Sequence, residues 1–150
     1  MKFKIQHVLF FYFLFFLSSV VANAQSYLVI IDESLENKEQ VYSNQKSLKN
    51  VKILDGKNLS APQQIVNSLK NDVIDDLHIY APTKQGAIVF NSVSITTETV
   101  EYYAQQFLEL ESLVKNKVIV HSEVVFEGDE GAKLKLMLQK ISGVEFISQK

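Results

Sequence analysis

Five short, mainly apolar runs recur along this chain, separated by polar or amphipathic stretches, and that alternation most restricts the fold. The first, Tyr27-Leu28-Val29-Ile30-Ile31, is continuous, β-branched and closed by Asp32, the pattern of a strand buried on both faces. Val51-Lys52-Ile53-Leu54 follows and ends at the turn dipeptide Asp55-Gly56; Leu77 to Ala81, Val118 to Val120 and Val144 to Ile147 supply three further strands. Between them, Ile65, Val66 and Leu69 give one helix its buried stripe. Val100, Tyr103, Ala104, Phe107, Leu110 and Val114 do so for a long second helix, and Leu134, Met137, Leu138 and Ile141 for a last one. Residues 33–49 are polar, with few apolar anchors, and read as a loose helix or loop.

Local signals mark the ends of these elements. Ser60 can cap the first helix with Gln63 reaching back, and Pro62 is tolerated in its first turn. Thr96 or Thr97 can cap the long helix, and Asp129 the last one, which Gly143 terminates. Ala87 to Phe90 and Val93 to Ile95, joined by Asn91-Ser92, read as a small hairpin. Strand–helix alternation of this kind predicts an α/β domain: a mostly parallel five-stranded sheet with helices on both faces. Any site is then expected off the carboxyl ends of the strands.

Met1 to Ala24 has the form of a secretory signal peptide. Lys2 and Lys4 provide the positive end, Val8 to Leu17 is apolar and uncharged, and Ala22-Asn23-Ala24 offers a cleavage site after Ala24. Extended to Ala22, the apolar run is still shorter than the roughly 20 residues of a spanning helix, so no stable membrane span is expected after cleavage. Residues 25–150 then form a single domain of 13 lysines against 17 acids, net −4, exported to the periplasm or the exterior.

Composition removes several function classes. The 150 residues include no cysteine, which excludes a disulfide scaffold, a thiolate metal site and a cysteine nucleophile. All 15 basic residues are lysine, and with a net charge of −2 for the whole chain there is no basic patch to suggest nucleic acid as a partner. No glycine-rich phosphate loop follows any strand, since Asp32 runs into Glu33-Ser34-Leu35. No cofactor is implied.

The order of motifs resembles a bacterial caspase-like domain of unknown function, a family typical of the N-terminal regions of very large secreted adhesins and related to gingipain- and caspase-type cysteine peptidases. The resemblance runs over residues 27–149. Leu28 to Asp32 matches its first strand, and Leu77-His78-Ile79-Tyr80-Ala81-Pro82-Thr83 stands where the family reads Leu-His-Ile and then Ser-His-Gly. Gly86 to Phe90 fits the following glycine and hairpin, and Tyr102 to Gln106 fits a helix rich in tyrosine, alanine and glutamine. His121-Ser122-Glu123 and then Gly128-Asp129-Glu130-Gly131 stand where the family has Tyr-Gly-Cys and a Gly-x-x-Gly helix start; Leu138 to Phe146 fits its ending. What the resemblance implies, with the short crossovers, is a three-layer caspase-like sandwich of strand order 2-1-3-4-5. Its histidine position is Pro82 here and its cysteine position Glu123, neither of which can form the peptidase dyad, so a pseudoenzyme is expected.

His78 reads as a strand histidine held by packing or one hydrogen bond. His121 and Ser122 are adjacent on a strand and point to opposite faces, which disfavours a serine hydrolase. Glu123, Glu127, Asp129 and Glu130 form an acidic cluster beside Gly128 and Gly131, but their spacing is not that of an EF-hand, and a solvated loop with acids suited to a helix start is the simpler reading; no metal is expected. The expected function is a secreted, catalytically inactive binding or structural module with a protein partner at the cell envelope. Its candidate crevice is Tyr80, Pro82, Thr83 and Lys84 on one side, with His121, Ser122 and Glu123 on the other. The alternatives are a hydrolase or metal-dependent enzyme using His121, Glu123 and the acidic loop, or an accessory component of a surface adhesin or secretion assembly.

Overall fold

The computed structural model describes residues 26–45, 50–70 and 72–150; the leader reading for Met1–Ala24 lies outside them. An inner strand of its main sheet is β1 (Tyr27–Asp32), whose Leu28 to Asp32 are all buried. Parallel neighbours flank it, β2 (Val51–Leu54) on one side and β3 (Ile74–Tyr80) on the other. β7 (Val114–His121) and β8 (Glu145–Gln149) complete a sheet of order β2-β1-β3-β7-β8, parallel throughout. The expected α/β architecture and strand order are both present.

Among the described residues four α-helices serve this sheet: α1 (Lys38–Gln45), α2 (Ala61–Leu69), α3 (Ala104–Leu113, after a 3-10 turn at Val100–Tyr103) and α4 (Gly128–Ser142). Their distribution follows from strand alternation. Leu28, Ile30, Leu77, Ile79, Val118, Val120 and Phe146 point to one face, where they pack with Ile65, Val66 and Leu69 of α2, Phe107 and Leu110 of α3, and Leu134 and Leu138 of α4. The opposite face carries Val29, Ile31 and Ile119, also buried, but of these four helices only α1 lies there, and no residue of α1 is buried. The helices cover the two faces unequally.

A second, three-stranded antiparallel sheet follows β3: β4 (Thr83–Lys84), β5 (Ala87–Val89) and β6 (Ser94–Ile95). The β5–β6 hairpin turns at Asn91-Ser92 as expected, with Phe90 and Val93 exchanging backbone hydrogen bonds. Asp32, at the end of β1 and 1% exposed, accepts the Asn91 amide (3.1 and 3.2 Å) and the Ser34 amide (2.9 Å), so a buried carboxylate fixes the hairpin over the sheet.

The helix ends differ from the sequence reading because tertiary partners replace local ones. Ser60 is the N-cap of α2 but makes no side-chain capping bond; the Ala61 amide donates to the Ser92 hydroxyl of the hairpin instead (3.0 Å). Gln63 bonds Asn67 and Gln106 rather than reaching back. Thr96 and Thr97 do not cap the long helix, since Thr96 and Thr99 bond one another in a turn before Val100. Asp129 lies inside the first turn of α4, whose N-cap is Glu127; there it and Glu130 face the positive helix end. Val114 leaves the helix and opens β7 directly in extended conformation. Gly143 does end α4, at φ 68°, with its amide on the Gln139 carbonyl (2.9 Å).

Candidate functional site

At the carboxyl ends of β3 and β7 the structure joins two hydroxyls. Thr83 Oγ1 and Ser122 Oγ lie 2.7 Å apart. Ser122 Oγ also accepts the amides of Val124 and Val125, each at 3.1 Å, so its two acceptor positions are occupied and its own proton is directed to Thr83. Next to this contact the Gly86 amide donates to the Val125 carbonyl (3.0 Å), tying the β4–β5 turn to the loop after β7. Gly86 (φ 69°) approaches Glu130 so closely that a Cβ there would lie 2.9 Å from the Glu130 Cβ. These contacts stitch the two strand ends together.

The remaining residues of the expected crevice go elsewhere. Glu123 and Lys84 are exposed, and Glu123 pairs with Lys150 (3.2 Å). Glu130 receives the Thr97 hydroxyl (3.2 Å), so the acids of this loop do not converge. Among the described residues no group of three or more His, Asp or Glu is arranged to hold a metal ion.

Tyr80 and His121 project onto the lightly covered face of the sheet. Their rings stack at 3.8 Å with planes 7° apart. His121 Nε2 lies 3.0 Å from His78 Nδ1, and Tyr27 meets His78 edge-on at 5.7 Å. Gln45, the last residue of α1, donates to the Tyr80 hydroxyl (3.4 Å). Together with Asp76, Lys117 and Gln149 these side chains line an open groove of about 430 Å³. A larger cleft, about 580 Å³, lies between α2 and the amino ends of β1, β2 and β3, away from the carboxyl ends, with Lys52 and Asp72 as its charged residues.

Burial sets the protonation of this group. It holds His78 below the usual imidazole range, with Asp76 pulling the other way and Lys117 reinforcing it. His121 is pushed down to about 4, by burial first and by the charge of His78 second. Tyr80 is raised by burial, partly offset by the bond from Gln45. Neutral imidazoles and a neutral phenol are therefore the resting forms at pH 7.

A family described as Domain of unknown function (DUF4347) matches residues 28–150. The chain belongs to this family. No curated protein and no solved structure matches it.

The matched span of this DUF4347 domain covers the main sheet from Leu28 of β1 onward, the Thr83–Ser122 contact and the histidine pair. Thus, of the expected crevice residues, Thr83 and Ser122 meet at the strand ends and Tyr80 and His121 on the open face, whereas Lys84 and Glu123 are exposed and the Pro82 carbonyl accepts the Val89 amide (2.8 Å). His78, expected to be held by packing or by one hydrogen bond, lies 3.0 Å from His121. The pairing is not visible in the segment around either histidine alone. The signal was present in the register: His78 lies opposite Ile119 in the parallel ladder, so His121, two residues further on, shares its face.

Proposed function

We propose that this DUF4347 domain is an exported, catalytically inactive caspase-like module that binds a protein partner at the cell envelope or surface. The observation that carries the reading is the hydroxyl contact between Thr83 and Ser122, which fills the strand-end position where a dyad would work. Pro82 offers no proton-transfer group, and Glu123 is turned outward to Lys150, so neither resembled dyad position presents a base or nucleophile to the other. His121 bonds His78 on the opposite face from Ser122, which leaves that hydroxyl without an activating base.

The test is incubation of residues 25–150 with a panel of peptide substrates, with turnover followed by mass spectrometry. Background turnover is expected for the protein and for the Glu123→Gln and His121→Phe variants alike. Cleavage that either substitution abolishes would overturn the proposal.

A further inference from the structure

We propose that His78 and His121 form a proton-controlled latch on the lightly covered face of the sheet: with at most one added proton the pair keeps Tyr80 docked beneath α1, and a second proton opens the groove. This concerns a device in the fold and stands whether or not the domain binds a partner.

The geometry permits one hydrogen between the rings. At 3.0 Å, His78 Nδ1 and His121 Nε2 can share a single N–H, donated by either ring to the lone pair of the other. One added proton leaves that bond intact and strengthens it, because an imidazolium donates to an imidazole. Two added protons place N–H groups of two cations against each other, and the contact has to break. These nitrogens point at one another across the bond, and no third His, Asp or Glu among the described residues completes a metal cluster with them. Proton sharing is the chemistry that the contact supports.

The pair is coupled to the helix through a chain of contacts. His121 lies flat on the Tyr80 ring at 3.8 Å, so its departure uncovers that ring. Tyr80 accepts the hydrogen bond of Gln45, which ends α1, and α1 buries none of its own residues. An element held by so little apolar burial is the one most readily released. The surrounding charges favour two separate steps. On β3, Asp76 stabilises a first positive charge on His78, whereas Lys117 on β7 opposes it. β1 contributes Tyr27, edge-on to His78. On β8, Glu145 lies opposite Lys117 and the uncharged Gln149 opposite His121; α1 presents uncharged Gln45. Among the described residues one carboxylate and one ammonium lie beside the pair, and no further charge there compensates the second proton. Burial and the charge of His78 hold His121 at about 4, which puts the second step well below neutral pH.

The experiment is an imidazole ¹⁵N NMR titration of residues 25–150 from pH 7.5 to 3.5, with amide exchange of α1 measured against that of β1 at each pH. The expected result is two coupled steps. The α1-to-β1 exchange ratio should rise only across the second, on the order of tenfold, the change that one pKa unit of differential protonation supplies. His121→Phe retains a ring on Tyr80 without the proton site, and its exchange ratio should stay flat over the same range. Independent titration of both histidines near their ordinary value in the parent protein would overturn the latch. So would a rise in the ratio that persists with the same midpoint in His121→Phe. The parent titration decides the first point even if the variant folds poorly.

Discussion

Replacing Gly131 by alanine should destabilise the domain even though it improves helix propensity. Gly131 is buried in the first turn of α4, and a Cβ built on it would lie 2.5 Å from the Phe126 carbonyl carbon and 2.8 Å from both Phe126 Cα and the Val125 oxygen. Ordinary carbon–carbon contact begins near ~3.5 Å, so the 125–126 loop would have to retreat by about 1 Å. All three obstructing atoms belong to the backbone, which cannot swing aside as a side-chain tip would. The same loop donates the Val125 amide to Ser122 Oγ and accepts the Gly86 amide, so its displacement weakens the strand-end contacts as well.

Overpacking costs about 1–3 kcal/mol and a weakened hydrogen bond about 1 kcal/mol, against a propensity gain of at most about 1 kcal/mol. The net expectation is a loss of about 2 kcal/mol, or a fall in Tm of roughly 6–10 °C for a domain of this size. Ala132→Gly, at the exposed neighbouring position, is the control: it should lose about 1 kcal/mol through propensity alone. Urea denaturation followed by circular dichroism measures both variants. Propensity by itself predicts opposite signs for the pair, whereas close packing predicts that both destabilise. A Gly131→Ala protein as stable as the parent, beside the expected loss for Ala132→Gly, would refute the reasoning.

Two further outcomes follow from buried polar groups. The folded state binds a proton on His121 less readily than the unfolded chain does, at about 4 against the usual 6.5, so its contribution is complete above pH 6.5 and is lost as pH falls towards 4. The full difference corresponds to about 3.4 kcal/mol, which solvent access to a half-buried ring reduces to about 1–2 kcal/mol; urea midpoints at pH 7 and pH 4 should differ less in His121→Phe than in the parent, and an equal difference would count against the assignment. Asp32→Ala should cost about 2–3 kcal/mol, because the Ser34 and Asn91 amides lose their shared acceptor in a buried setting, and the Asn91 amide should exchange faster than the β1 core. Unchanged Asn91 exchange would show that the hairpin is held without the carboxylate.

Much of the architecture was legible in the chain because it depends on local pattern. The run Leu28 to Ile31 can be buried only as a central strand, and the periodic apolar residues of α2 and α4 commit those segments to helices against a sheet. Gly143 stops α4 because its positive φ disfavours side chains with a Cβ, a property of one residue rather than of its surroundings.

The helix caps and the site were decided by tertiary contact. Ser60 has the chemistry of a cap, yet Ser92 holds the Ala61 amide, because the hairpin places a second hydroxyl there from 31 residues away. The unequal covering of the two faces was hidden because a buried strand looks the same whether three helices or one lie over it. His78 and His121 are 43 residues apart and each was unremarkable alone; only the parallel register of β3 and β7 sets their nitrogens 3.0 Å apart. Apolar periodicity is written within single segments and survives being read one segment at a time. A polar site depends on which segments become neighbours and in what register, and that is determined when the sheet assembles.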